Sequence, residues 1–456
     1  MGQVYMLEII FKEYNKRYKK VIIYDSYKKL PFSVANLAKA FNLPISKLEI
    51  DYNKKRKIGY KLTKKEIEYL KNDVTICAMA LDIQFKNGLR KMTIGSDALF
   101  DFKHIFTKSQ FIETFPIFSL KKHNDLKGAY KGGFTYLNPK YKNKEIKTGI
   151  VFDVNSLYPY VMREKPLQIG NGIFFNGKYV YDERYPLYIQ KITTKFKIKK
   201  GRIPTIQLKN ITYNPEYVTN SKDEVTLILT NIDLELFIEQ YNPDYIEYDC
   251  GYKFKAKNGL FNEYIDKWSE IKINNDGAIR TLAKLMLNSL YGKFGTNPDV
   301  TMKIPYLDDE SIVRYKLGDE NFRKPIYVPV ASFITSYARN ITIRTAQSLY
   351  DRFIYADTDS VHLIGDEIPT NIEIHPSKLG AWKHEYTFQK AKFIKAKTYL
   401  EIVNDELIIK GAGITNNIKE QITWENFNQG SSFVGNLKQK RTQGGVVLVD
   451  DVYTIK

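Results

Sequence analysis

Tyr355-Ala356-Asp357-Thr358-Asp359-Ser360 is the stretch on which the reading of this chain turns. Phe353 and Ile354 precede it and Val361, Leu363 and Ile364 follow, so two short apolar runs flank an acidic centre and predict two strands joined by a tight turn. Two carboxylates at a hairpin tip suit a hard divalent cation. Mg²⁺ takes oxygen ligands, retains several waters and is commonly shared between one or two carboxylates and substrate phosphates. Such chemistry needs a further acid and a cationic grip on phosphate elsewhere in the chain.

Upstream, Ile150-Val151-Phe152 reads as a buried strand ending at Asp153, and Ser156 and Pro159 mark the start of a helix in Val154-Asn155-Ser156-Leu157-Tyr158-Pro159. A strand end puts Asp153 and the carbonyl of Val154 within reach of a metal, with Asn155 to Pro159 as a floor under a nucleotide. Taken alone, an acid at a strand end is more often structural. The grip is offered by a helix from Asn275 to Gly295, which Asp276 can cap and which Gly292 and Gly295 end. At about 100° per residue Arg280, Lys284 and Tyr291 share one wedge, while Leu282, Leu285, Met286 and Leu290 can face a core. That cationic face with an aromatic tip, joined by Lys272, suits a triphosphate and its base; a solvated basic face is the plainer reading of the helix in isolation. Acids at 153, 357 and 359 together with this helix point to nucleotidyl transfer. In that reaction two Mg²⁺ or Mn²⁺ ions about 3.5–4 Å apart activate the attacking hydroxyl and neutralise the departing pyrophosphate.

Composition agrees. The 456 residues carry 70 Lys+Arg against 51 Asp+Glu, a net charge of +19, with 34 Tyr and 26 Phe. Basic charge interleaved with aromatics fits a polyanion with stackable bases, and the length implies two to four domains or subdomains. Only Cys77 and Cys250 occur, so neither a zinc site nor a disulfide framework is expected, and a reducing cytoplasm fits. No apolar run approaches the roughly 18 residues that span a bilayer, and no basic leader opens the chain.

Elsewhere, Thr63 and Glu66 stand at capping-box spacing before a helix to about Phe85, on which Tyr69 and Asp73 share a face. Adjacent glycines in Tyr130-Lys131-Gly132-Gly133-Phe134 can admit a phosphate backbone, or simply form a turn. An apolar-polar helix is expected over 331–350. Lys392, Lys395 and Lys397 alternate around Phe393, Ile394 and Tyr399, as a strand with a basic face would. The tail, with Lys438, Lys440 and Arg441 beside Gly444 and Gly445, reads as a small basic subdomain.

Asp153 to Pro159, Lys284 to Gly292 and Tyr355 to Ser360 resemble motifs A, B and C of family B DNA polymerases, in order and spacing. Lys397-Thr398-Tyr399 resembles the family's KxY motif and Tyr130 to Gly133 its YxGG-type motif, and the likeness is to the protein-primed phage type along the whole chain. The resemblance implies a mixed α+β right hand of palm, fingers and thumb with an antiparallel palm sheet, preceded by a truncated RNase H-like 3′-5′ exonuclease domain. It places the exonuclease-like part at 1–93, connector and palm at 94–203, a first insertion that contacts priming protein and DNA at 204–259, and fingers at 260–298. A second insertion for processivity and strand displacement follows at 299–321, then palm at 322–430 and thumb and tail at 431–456. By the same resemblance Asp153 and Asp359 are the principal metal ligands, with the Val154 carbonyl and Asp357 as accessories. Tyr158 packs on the sugar and disfavours a 2′-hydroxyl; Lys272, Arg280, Lys284 and Tyr291 bind nucleotide, although the family usually has lysine where Arg280 stands. Tyr130, Gly132, Gly133, Thr335, Arg339, Lys397 and Tyr399 fall on positions that touch DNA.

One departure accompanies the match. Only the third exonuclease motif is present, as Tyr69 and Asp73 with Lys47 and Tyr52 as auxiliaries, and no Asp-x-Glu precedes Asp73. With Glu49 or Asp51, Asp73 holds at most one ion, so proofreading is expected to be absent from this chain unless a separate polypeptide completes the domain. The implied setting is a monomeric phage or prophage polymerase in a bacterial cytoplasm, using primer-template DNA, dNTPs and a priming protein. The competing readings are an inactive remnant that binds primer-template or terminal protein, and a metal nuclease built on Asp73.

Overall fold

The computed structural model describes residues 6–12, 18–51, 54, 56, 59–208, 217–435, 437–442 and 445–455. They form two units, one of residues 1–111 with 261–293 and the other of 112–260 with 294–456.

In the first unit an antiparallel hairpin pairs Met6–Lys12 with Tyr18–Tyr24. Its strands are apolar nearly throughout, and Leu7, Ile10, Phe11, Val21, Ile23 and Tyr24 are exposed. The helix Lys64–Lys86 starts in the expected capping box, with Thr63 and Glu66 exchanging hydrogen bonds. The Thr63 N–H and the Arg56 guanidinium together hold the Glu66 carboxyl down at about 2. Tyr69, Ile76, Ala80 and Gln84 form the buried stripe of this helix. The basic helix, Gly277–Phe294, is preceded by the helix Asn262–Asn274. This segment is anchored to the helix Ile94–Lys103: Phe102 stacks on Phe261 at 4.6 Å, and Asp101 accepts from Lys267 Nζ at 2.7 Å and Trp268 Nε1 at 2.8 Å.

The second unit is built on an antiparallel five-stranded sheet in the order Trp382–Phe388, Gly149–Val154, Ser360–Ile364, Phe353–Asp357, Thr135–Leu137. Gly149–Val154 is buried almost throughout because both faces of the sheet are covered, which is why its sequence reads as a continuous apolar run rather than an alternating one. A four-stranded sheet, in the order Glu406–Gly411, Thr398–Val403, Lys390–Lys395, Glu145–Ile146, shares its core, with Val151, Ile354, Tyr355 and Phe388 meeting Ile146, Phe393, Tyr399 and Val403. A second four-stranded sheet, containing Leu187–Ile198 and the long strand Tyr241–Lys257, has its own core around Phe196, Phe237 and Tyr241. Lys303–Leu307 and Val313–Leu317 form an exposed hairpin.

The helix Val328–Ser348 enters three residues before its expected start, with Pro329 in its first turn where the missing N–H costs nothing. It is buried nearly all round against the helices Leu120–Lys127, Leu157–Glu164 and Asn231–Gln240. Its polar residues are satisfied internally: Thr335 Oγ1 donates to the carbonyls of Ala331 and Ser332, and Ser336 Oγ to Ser332. Thr335 and Arg339 are interior residues, 1% and 4% exposed. Arg339 bonds both oxygens of Asp233, at 3.3 and 2.6 Å, and donates to the carbonyls of Lys131 and Gly132 at 2.9 and 2.8 Å. Burial pushes the Asp233 carboxyl up, but the charges of Arg339 and Lys131 outweigh it and leave the group below its ordinary value.

The loop so anchored fixes the acidic hairpin. The Phe134 carbonyl accepts from the N–H of Thr358, at the left-handed hairpin tip, at 2.6 Å, and Thr342 Oγ1 donates to the Thr358 carbonyl at 2.7 Å. A Cβ at Gly133 would lie 2.7 Å from Thr358 Oγ1 and 2.8 Å from its Cγ2, so this glycine is required by packing against the turn. Gly133→Ala is expected to cost about 1–3 kcal/mol in urea unfolding, with much of it recovered in Gly133→Ala/Thr358→Ala. Arg339→Met, which strands Asp233 without its cation, is expected to cost about 3–5 kcal/mol in the same measurement. Lys131 has the opposite sign. Burial lowers it to about 8, with Asp233 raising it and Arg339 lowering it further. The unfolded lysine keeps its proton to about 10.5, so its contribution makes stability rise between pH 8 and 10.5; Lys131→Met should flatten that rise and raise the melting temperature at pH 7.

Candidate active site

Cross-strand register gathers the acids at one end of the five-stranded sheet. Ser360 is paired with Asp153 on one side and with Asp357 on the other. The Val154 N–H donates to the Asp359 carbonyl at 2.7 Å, and the Asp359 N–H to the Asp357 carbonyl at 2.8 Å. Asp153, Asp357 and Asp359 are all half-buried, and Val154 is fully covered. Ser156 takes the N-cap position of the helix Leu157–Glu164, as expected, but in a left-handed conformation and without a side-chain cap bond; Tyr158 is half-buried in its first turn.

The three carboxylates are not equivalent. Asp357 accepts from Thr135 Oγ1 at 2.9 Å, from Tyr355 Oη at 3.3 Å, and from Lys397 Nζ at 2.6 and 2.8 Å on its two oxygens. An ammonium across both oxygens makes Lys397 the closest charged partner of Asp357 in this arrangement. Among the described residues no three acidic, histidine or cysteine side chains gather as a ready-made metal cage. Asp153 and Asp359 remain, with the Val154 carbonyl, and two carboxylates beside substrate phosphates are the usual Mg²⁺ donor set. Tyr399 is 9% exposed, with its ring stacked on Phe393. Tyr130 is half-buried over Gly295, where a Cβ would come within 2.3 Å of its ring, while Gly132 is exposed with open space beside it.

Within the other unit, Arg280 Nη1 donates to the Lys272 carbonyl at 2.7 Å, tying the basic helix to the end of the one before it. Burial lowers the Lys272 ammonium, and the charges of Arg280 and Lys284 lower it further. The three cations are thus close enough to feel one another, and a bound polyanion relieves that repulsion. Arg280 and Lys284 are exposed and Tyr291 half-buried. In the same unit Lys47 Nζ lies 5.4 Å from the Tyr69 ring, and Asp73 keeps a buried Oδ1 with no hydrogen-bond partner among the described residues. Glu49 is exposed, and Tyr52 lies outside the described residues.

Sequence reasoning missed Thr342, Asp233 and the buried pair His362 and Glu401, whose Nδ1 and Oε1 are 2.9 Å apart. The last pair did leave a signal: each is a polar residue inside an apolar strand run, Val361-His362-Leu363 and Leu400-Glu401-Ile402.

Comparison with known proteins bears on this geometry. The family model for DNA polymerase type B, organellar and viral, matches residues 48–376. The DNA polymerase of Bacillus phage Nf is 50% identical over 482 residues, covering 100% of this chain and 84% of its own, and that of Bacillus phage phi29 is 49% identical over 479, covering 100% and 83%. The structure of phi29 DNA polymerase with primer-template DNA and incoming nucleotide superposes with a TM-score of 0.92 at 49% identity, covering 100% of this chain and 84% of that one. The strand register, the acidic hairpin and these matches converge: the chain belongs to the type B DNA polymerases of organelles and viruses.

Proposed function

We propose that this DNA-directed DNA polymerase extends a primer 3′-hydroxyl by two-metal nucleotidyl transfer, with Asp153, Asp359 and the Val154 carbonyl holding Mg²⁺. Divalent-metal dependence belongs to the family as a whole, and Mn²⁺ suits the same oxygen donors. The observation that carries the reading is the 2.7 Å bond from Val154 N–H to the Asp359 carbonyl, with Asp153 in register with Ser360. It supports two acids acting on one centre. Bound there, the metal supplies Lewis-acid activation of the attacking hydroxyl and charge neutralisation at the leaving group.

The chain's own residues do the rest. Lys272, Arg280 and Lys284 bind the triphosphate of the incoming dNTP as a cationic cluster, and Tyr291 contributes aromatic surface for its base. Tyr158, in the first helical turn after motif A, excludes a ribose 2′-hydroxyl. Lys397 sits against Asp357 at the acidic end of the sheet and contacts the primer, while Gly132 offers exposed backbone to the template strand. The segment 204–259 meets a priming protein and DNA, and the exposed hairpin around 299–321 helps to retain DNA during strand displacement. Protein priming fits the kinship with phage polymerases, and the setting is the cytoplasm of a bacterial host, the enzyme acting as a monomer. Asp73 alone does not make a two-metal nuclease, which needs further carboxylates beside it.

Primer extension with Mg²⁺ and dNTPs tests this reading. Asp153→Asn and Asp359→Asn should each cut extension on the order of a thousandfold, and Lys284→Ala should raise the KM for dNTP roughly tenfold. Asp73→Ala should leave extension unchanged. DNA binding without extension by the unaltered protein would favour an inactive remnant, and single-strand degradation lost in Asp73→Ala would favour a nuclease.

A further inference from the structure

Two different sheets meet beneath the acidic end. Tyr355 and His362 are cross-strand partners in the acidic hairpin; Phe393 and Tyr399 are partners in the four-stranded sheet that carries Lys397. The four rings form one quartet, with all six centroid separations between 5.0 and 5.6 Å. No ladder hydrogen bonds join the five-stranded and four-stranded sheets among the described residues. The sheets are joined by two short backbone connections, Gln389 between Phe388 and Lys390 and residues 147–148 between Ile146 and Gly149; at the end that bears the acids and Lys397, facing side chains hold them together.

Ring packing is weakly directional, so it resists separation of the sheets better than it resists sliding. His362 adds a direction. Its Nδ1 is 2.9 Å from Glu401 Oε1, and Glu401 Oε2 accepts from Tyr386 Oη at 2.8 Å. His362 is 2% exposed and Glu401 0%. Glu401 lies on the same strand as Tyr399, two residues on, and so projects from the same face. Beside the quartet the Lys397 N–H donates to Tyr355 Oη at 3.0 Å, and Lys397 Nζ reaches Asp357. An apolar pair of similar volume would stabilise such a core at least as well as a buried polar one, so stability alone does not explain why histidine and glutamate stand here.

We propose that His362 and Glu401 are positioning residues for primer use: their buried bond keys the Lys397 turn to the acidic hairpin, so that primer contact and metal-holding acids keep one spacing. This rests on the reading of Lys397 as a primer contact. Neither residue touches substrate, and both act through Lys397.

The test uses the full chain, with active sites titrated by burst amplitude, and measures turnover per site and KM for primer-template and for dNTP. Lys397→Ala should raise the primer-template KM roughly tenfold. His362→Phe, which keeps the ring and removes the bond, should raise it by a similar factor while the dNTP KM stays within about twofold. His362→Gln, which restores a donor to Glu401, should recover most of the loss. Glu401→Gln, which keeps the volume and one acceptor, should reproduce the same split and stands in if the phenylalanine variant does not fold. The double variant His362→Phe/Lys397→Ala should be no worse than Lys397→Ala alone. A normal KM in Lys397→Ala overturns the primer-contact reading and this inference with it. A raised KM in Lys397→Ala, with normal values per titrated site in both His362→Phe and Glu401→Gln, overturns the positioning role alone. Additive losses in the double variant do the same.

Discussion

A single backbone hydrogen bond orders the acidic end of the five-stranded sheet: the Val154 N–H on the Asp359 carbonyl, at 2.7 Å. It is an extension of the ladder between Gly149–Val154 and Ser360–Ile364, and it brings Asp153 and Asp359 to one end of the sheet although long stretches of chain separate them. Side chains alternate along a strand, so a one-residue slip in that ladder would send Asp153 to the opposite face of the sheet from the one it now shares. The apolar run Ile150-Val151-Phe152, buried on both faces, makes such a slip expensive. Catalytic geometry is thereby secured by core burial rather than by contacts among the acids themselves, which repel one another.

Acids so placed sit within a protein of net charge +19, and the local arrangement shows how that contrast is handled. Lys397 lies across Asp357, neutralising one carboxylate of three, while Thr135 and Tyr355 add hydrogen bonds to it. Asp357 is thereby tied to the turn of the neighbouring sheet that bears Lys397. In the other unit the balance is reversed: the charges of Arg280 and Lys284 lower the Lys272 ammonium below its ordinary value, on top of burial.

How much of this could be read from the chain depends on the range over which each feature is determined. The acidic hairpin, the strand before Asp153, the capping box at Thr63 and the basic helix are local patterns of periodicity, turn and cap, and they appear at or within a few residues of their expected positions. The family motifs carried the rest of the mechanism, because their order and spacing are themselves sequence. What was not legible was burial. Thr335 and Arg339 look like exposed polar positions of an apolar-polar helix, yet neighbouring helices close over them and their polar atoms find partners within the interior. Gly133 reads as room for a phosphate, but the molecule that fills that room is Thr358, more than two hundred positions away. Tyr399 likewise looks available beside its lysines until the opposite sheet covers it.

The two buried polar clusters share a location that neither sequence nor stability explains separately. Arg339 with Asp233 ties the long buried helix to the helix Asn231–Gln240 and, through the carbonyls of Lys131 and Gly132, to the loop whose Phe134 carbonyl receives Thr358. His362 with Glu401 ties the second strand of the acidic hairpin to the sheet bearing Lys397. One cluster therefore braces the tip of the turn and the other braces its base, from two different layers. Each is costly to bury, since hydrophobic pairs of the same volume would serve a core as well. What an apolar pair lacks is direction, and the ends of these layers that lie away from their backbone connections share no ladder to supply it. Directional bonds at those two joints hold the acidic turn from both sides, and a turn that must present its acids in one geometry needs that more than it needs additional stability.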